Sequence, residues 1–235
     1  VSFILVAFRI AQRWIIEFRI ARGENVYDPA HPEQLTKGND WIVYVDMPGV
    51  KYIPDNAFDS CERLQSVIIG DDCKEIGESA FEECTSLKGI VIPNKIERLY
   101  QKTFTRCVSL EEITFGQSLK RIDFENFYEC SNLKTVNVND ALEVIDTGAF
   151  KYCRSLESID LTESIKEINY EAFYECESLK EIYLSSNINV IRARAFYGCK
   201  GLENVIWFNG LEIIEENAFD ICESLKETII PSTVC

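Results

Sequence analysis

The stretch AFYECESLKEIYLSSNINVIRAR, residues 172–194, decides the reading of the whole chain, because its skeleton returns at a fixed interval. Its phenylalanine, Phe173, stands in a series with Phe58, Phe81, Phe104, Phe127, Phe150, Phe196 and Phe219, each 23 residues from the next. Three positions after each comes a cysteine: Cys61, Cys84, Cys107, Cys130, Cys153, Cys176, Cys199 and Cys222. Three further on stands a leucine, from Leu64 and Leu87 through to Leu202 and Leu225. A period that never slips by one residue marks an array of stacked repeats.

Within the unit, the leucine opens a pattern in which apolar residues alternate with others, as in Leu179, Ile182, Leu184 or Leu156, Ile159, Leu161. That alternation predicts one short strand per repeat with one buried face. A turn rich in Gly, Pro, Ser, Asn and Asp follows, and then a second apolar pair such as Ile96 and Leu99, or Ile188 and Ile191, which is expected to pack the opposite side. So few apolar anchors cannot enclose a core alone. Units stacked about 4.8 Å apart turn equivalent side chains into continuous internal columns. The expected fold is therefore a solenoid: a β-rich arc with one short parallel strand per repeat and turns or helical turns on the other side.

Residues 41–58, WIVYVDMPGVKYIPDNAF, set the start of the array, since Val50 and Ile53 take the relative places of Ile96 and Leu99. The expected organisation is a half-repeat at 41–56, Phe-x-x-Cys units from residue 57, and a last unit that breaks off within residues 229–235, IIPSTVC. With Val at its first position, the chain reads as a piece of a longer protein. Residues 1–22, VSFILVAFRIAQRWIIEFRIAR, read as an amphipathic helix, with Arg9, Gln12, Arg13, Glu17 and Arg19 on one arc, although EFRIAR also suits a strand. A cap on the first rung, a membrane-surface helix and the remnant of a cut element are the three readings of that segment. Charges interrupt it too often for a transmembrane span. Residues 23–40 read as a polar linker.

Composition bounds the function. Of 235 residues, 46% are hydrophobic, so a folded core is expected. The formal net charge is −15. Residues 1–56 contribute −1 of this and the repeats the remaining −14. Such a surface argues against binding that depends on neutralising phosphates, and nucleic acid is not expected as a partner. The repeated Glu and Lys residues either solvate the outside of the array or offer an acidic surface to a basic partner.

Ten cysteines raise the question of disulfides or metal. Ladder cysteines on adjacent rungs have Cβ atoms about 4.8 Å apart, whereas a disulfide needs roughly 3.5 to 4.5 Å. They are expected to be buried, reduced and small-hydrophobe-like, with Cys73 in the core slot of Ile96 and Leu119, and Cys235 terminal. Zinc would need tighter Cys pairs or histidines, and the single histidine, His31, lies in the linker. No cofactor is expected. With one histidine and no phosphate loop, no catalytic constellation can be assembled, so the chain is not expected to be an enzyme.

The units AFEECTSLKGIVIPNKIERL (80–99) and AFDICESLKETIIPSTV (218–234) resemble the BspA-like leucine-rich repeat family, whose pattern is A-F-x-x-C-x-x-L-x-x-I-x-[LI]-P-x-x-[IVL]-x-x-I-G. The resemblance covers residues 57–235. Departures are Thr103 and Asn126 in place of the small Ala, Pro kept only at Pro93 and Pro231, and the closing Gly kept only at Gly77. The resemblance implies a cell-surface or secreted protein that adheres to host or matrix proteins. The second reading is a regulatory repeat region of a larger intracellular protein, where reduced cysteines are normal.

Binding is expected on the exposed side of the strands. The residue between the two apolar positions points outward there, giving the column Ile68, Val91, Thr114, Asn137, Asp160, Tyr183, Ile206 and Ile229. Thr114, Asn137, Asp160, Tyr183, Ile206 and, two residues on, Phe208 are the candidate contact residues for a protein or other macromolecular partner.

Overall fold

The computed structural model describes residues 26–27, 42–226 and 230–234. The expected helix at residues 1–22, Ile229 and Cys235 lie outside the described residues, as do Trp41, His31 and most of the 23–40 segment.

The strands succeed one another in chain order as β1 (Val26–Tyr27), β2 (Tyr44–Met47), β3 (Tyr52–Ile53), β4 (Ser66–Ile69), β5 (Glu75–Ile76), β6 (Gly89–Val91), β7 (Arg98–Leu99), β8 (Glu112–Thr114) and β9 (Arg121–Ile122). They continue as β10 (Thr135–Asn137), β11 (Val144–Ile145), β12 (Ser158–Ile159), β13 (Glu167–Ile168), β14 (Glu181–Tyr183), β15 (Val190–Ile191), β16 (Asn204–Ile206) and β17 (Ile213–Ile214). All pairings are parallel, and within the array the partner is the equivalent residue of the neighbouring unit, as where Ile113 lies between Ile90 and Val136. The molecule is a parallel-strand solenoid, and among the described residues it contains no helix.

Two ladders run along it. The first holds the expected strands: β1-β2-β4, then β6-β8-β10-β12, then β14-β16. The second, β3-β5 and β7-β9-β11-β13-β15-β17, is made of two-residue strands that include Leu99, Ile122, Ile145, Ile168 and Ile191. Each repeat thus carries a second short strand beyond the one expected, and plain turns rather than helical turns connect them. At Val26–Tyr27, inside the segment read as linker, the chain pairs with Tyr44 and Val45 of β2.

The core lies between the ladders. Phe58, Phe81, Phe104, Phe127, Phe150, Phe173 and Phe196 are fully buried, with consecutive rings stacked 5.2 to 5.5 Å apart from Phe58 to Phe196. Phe219 continues the stack at 5.0 Å but is half-buried. Offset stacking of aromatic rings adds roughly 0.5 to 1.5 kcal/mol per pair beyond the area buried.

Around each phenylalanine the backbone alternates in hand. The residues two before and two after it take left-handed φ, as at Glu125 (51°) and Glu129 (58°), or Gly148 (63°) and Tyr152 (63°). This alternation aims every second N–H at the next rung. Gly148, Phe150 and Tyr152 donate to the carbonyls of Tyr170, Ala172 and Tyr174 at 3.0, 2.8 and 2.8 Å. The intervening Ala149, Lys151 and Cys153 close turns within their own rung. A side chain in the left-handed region costs roughly 1 to 2 kcal/mol. The rung-to-rung bonds offset that cost and satisfy a buried arc of backbone that no strand covers.

Candidate functional site

In β10, β14 and β16 the middle residue is buried while the first and third are exposed. That is the pleat of a strand with one face on the core. The outer face changes character along the axis. Near its start Tyr44 is 1% and Val91 4% exposed and Ile68 is half-buried, so at Val91 the expected outward column is withdrawn from solvent. From Thr114 onward the column opens. Thr114 is half-buried and accepts a hydrogen bond from the Asn137 amide at 3.2 Å, while Asn137 and Asp160 are exposed.

Tyr183 and Ile206 follow, 36% and 43% exposed and in register with each other. The half-buried Phe208 ring lies 4.8 Å from that of Tyr183, tilted by 53°. Tyr183, Ile206 and Phe208 thus form an aromatic and aliphatic notch at the C-terminal part of the sheet. Phe208 stands in a turn slot occupied in earlier units by Gly70, Pro93, Gly116, Asn139, Thr162 and Ser185. Its neighbour Trp207 turns inward onto Phe219, 5.5 Å away. The Tyr183 hydroxyl donates to Glu163 Oε1 at 3.4 Å, and Glu163 Oε2 accepts from the Ser186 backbone and hydroxyl at 3.2 and 3.0 Å. Partial desolvation, and then the Glu163 carboxylate, raise the Tyr183 pKa above its ordinary value.

The cysteine ladder is built for stacking. Cys61, Cys84, Cys107, Cys130, Cys153, Cys176 and Cys199 are fully buried, Cys222 is half-buried, Cys73 is in the core, and all nine are free thiols. Each thiol from Cys84 to Cys222 donates to the phenylalanine carbonyl of the preceding unit. Cys84 reaches Phe58 O at 3.1 Å, Cys130 reaches Phe104 O at 3.1 Å, and Cys199 reaches Phe173 O at 3.2 Å. Burial pushes the thiols of Cys84, Cys107, Cys130, Cys153, Cys176 and Cys199 well above the ordinary range, and that of Cys222 up to about 11. A thiol held protonated in the core is a poor nucleophile and a poor metal ligand. Among the described residues no group of three or more His, Cys, Asp or Glu converges as a metal site, and no helix is long and apolar enough to cross a membrane.

Sequence reasoning missed a tyrosine ribbon on the turn edge. Tyr128, Tyr152, Tyr174 and Tyr197 run along four rungs, with centroid separations of 5.6, 5.5 and 4.9 Å. Lys151 Nζ sits 5.3 and 4.7 Å from the Tyr152 and Tyr174 rings and pairs with Glu171. Tyr128, Tyr174 and Tyr197 each directly follow the ladder phenylalanine, a signal that was available. The ribbon is half-buried and its cation already neutralised, so it closes the turn edge and leaves the sheet as the open face.

No protein of curated function matches the sequence. Solved structures do. A leucine-rich repeat protein from T. pallidum is 24% identical, with a TM-score of 0.58 over 79% of this chain and 78% of that one. A leucine-rich repeat protein from Bacteroides ovatus is 24% identical (TM-score 0.53, 80% of this chain, 61% of that one), and both likenesses concern the fold. A leucine-rich cell surface protein from Faecalibacterium prausnitzii is 28% identical (TM-score 0.51, 80% of this chain, 59% of that one). The chain thus spans about three fifths of the length of the last two. The model of the BspA-type leucine-rich repeat region matches in six copies over residues 42–156 and 143–235, and on that match, with the stacked phenylalanine and cysteine columns, the chain belongs to the BspA-type leucine-rich repeat family.

Proposed function

We propose that the chain is a non-enzymatic interaction module that presents the outer face of its first ladder to a protein or other macromolecule. The observation that carries this reading is Phe208, a large aromatic in a slot that the fold elsewhere fills with small turn residues. Its ring packs on Tyr183, beside the exposed Ile206, and aromatic clusters of this kind concentrate binding energy at interfaces. Asp160, Asn137 and Thr114 extend the surface as a polar strip. Adhesion at a cell surface is the role in which such a face is used, in keeping with the cell-surface description of the F. prausnitzii relative. The acidic surface disfavours nucleic acid.

The nine free thiols favour a second reading, a regulatory repeat region in a reducing compartment. A leader and a wall or membrane anchor in the full-length protein select the first reading, and an attached catalytic domain selects the second.

The test is affinity capture from host, matrix and lysate proteins by the wild-type chain and by the Tyr183→Ala, Ile206→Ser, Phe208→Ala variant, after their stabilities have been matched. A partner held by the wild type and lost by the variant is the expected result. Equal capture by both moves the site off this face.

A further inference from the structure

We infer that the Tyr183–Phe208 notch receives an arginine-bearing basic segment of a protein partner. The inference rests on the binding face proposed above and specifies its chemistry. Three carboxylates rim the two rings. Glu181 precedes Tyr183 by two residues on β14 and is exposed on the same face. Asp160 holds the preceding position of the Tyr183 column and is exposed. Glu163 accepts from the Tyr183 hydroxyl.

Among the described residues none of these three carboxylates has a cationic partner, so beside the two rings their charge is not neutralised within the chain. Glu143, Glu177, Glu203 and Glu215 are paired across rungs with Lys166, Lys200, Lys226 and Arg192 at 2.9, 3.3, 2.8 and 2.9 Å. Lys180, the nearest lysine in sequence, lies in the edge column between Glu157 and Glu203 and acts on Glu203.

A partner that covers the rings also covers the rim. A neutral apolar surface would strip water from three unpaired carboxylates, at a cost that the contact area of two rings does not offset. A second copy of this acidic chain, or a nucleic acid, would add like charge. A guanidinium meets both demands. Its plane lies over an aromatic face, and its fork of N–H donors matches carboxylates; an ammonium offers neither the plane nor the fork.

The probe is a short glycine-serine peptide carrying arginines, with a twin in which each arginine is replaced by the neutral isostere citrulline. Both are titrated into the chain at low and moderate salt. The arginine peptide is expected to bind at least about tenfold more tightly, and to lose much of that margin as salt rises. Asp160→Asn with Glu181→Gln, both at exposed positions, should remove most of the preference of the chain for the arginine peptide over its citrulline twin. Tyr183→Ala with Phe208→Ser should weaken the arginine peptide as well, and serine is already tolerated in that turn slot at Ser185. Equal binding of the twins, no binding of either, or a preference that survives both variants overturns the inference. Loss of a captured partner by the triple variant, together with no arginine preference, would leave the binding face standing and remove only its cationic specificity.

Discussion

Inside the solenoid the phenylalanine, cysteine and leucine columns each repeat one residue type, whereas on its surface two columns alternate in charge from rung to rung. The phenylalanine and cysteine columns do not change from unit to unit. The column that follows the ladder leucine runs Lys88, Glu111, Lys134, Glu157, Lys180, Glu203, Lys226, and a second runs Lys74, Glu97, Lys120, Glu143, Lys166. Ion pairs link neighbours in both, at 3.3 Å for Lys134–Glu111 and 3.0 Å for Lys120–Glu97. One spacing has opposite consequences for the two regions. Uncharged side chains about 4.8 Å apart gain by being identical, while charged ones gain by being opposite. Identical core columns cannot tell one rung from the next. A slip by one rung would leave the core almost unchanged and bring like charges together outside, so the surface carries the stacking order.

The largest expected effect tests the core side of this comparison. The six fully buried thiols from Cys84 to Cys199 keep their protons in the fold at pH values where unfolded thiols ionise, above about 8.5. Their folded pKa is raised, so their contribution is fully present below the unfolded value. It is lost as pH rises, by about 1.4 kcal/mol per pH unit for each thiol. Urea unfolding followed by circular dichroism from neutral pH to pH 10.5 should show a steep fall; a flat profile would mean the thiols are not buried as a ladder.

Next in size is Phe150→Ala, which removes one disc from the aromatic stack and should cost roughly 3 to 5 kcal/mol. A change below about 1 kcal/mol would show that the column is not continuous core. On the surface side, Lys134→Glu places a carboxylate between Glu111 and Glu157 and should cost about 0.5 to 1 kcal/mol at low salt. Added salt should erase that cost. If the penalty persists in high salt, charge alternation is not its source.

The smallest effect concerns Asn126, whose buried Oδ1 has no hydrogen-bond partner among the described residues. The Leu99 and Tyr100 carbonyls that its amide reaches are also bonded, by the Asp123 N–H and the Thr103 hydroxyl. Asn126→Ala restores the usual residue of that column and removes an orphaned acceptor. Stability should stay level or rise by up to about 1 kcal/mol. A clear loss would mean the amide bonds outweigh the orphan.

Much of this was legible because the period forces it. Phe58 to Phe219 and Cys61 to Cys222 could be placed in columns from spacing alone, and the alternation around Ile182 and Leu184 announced the first ladder. The second ladder was hidden because a two-residue strand such as Arg98–Leu99 has too little alternation to be told from a turn. The thiol-to-carbonyl bonds were hidden too. They depend on which rung's carbonyl a cysteine meets, and spacing says only that it is buried. At the site, the pleat correctly placed Asn137, Asp160, Tyr183 and Ile206 on the outer face, but it carries no information about cover, and so missed that Val91 is withdrawn from solvent. Phe208 was placed with them by parity, two residues beyond Ile206, and the smaller residues that fill its turn slot in the earlier units are a second signal in the sequence.

The alternating turn arc has a mechanical consequence. Its rung-to-rung N–H bonds and those of the two strand ladders run along the solenoid axis, so a pull along that axis loads the interfaces between rungs in series. The weakest interface yields while the others hold. A peeled rung of 23 residues lengthens from one stacking distance to an extended chain, releasing roughly 75 Å of slack. Under tension the array would therefore pay out length one turn at a time and limit the force that reaches whatever is attached to its ends.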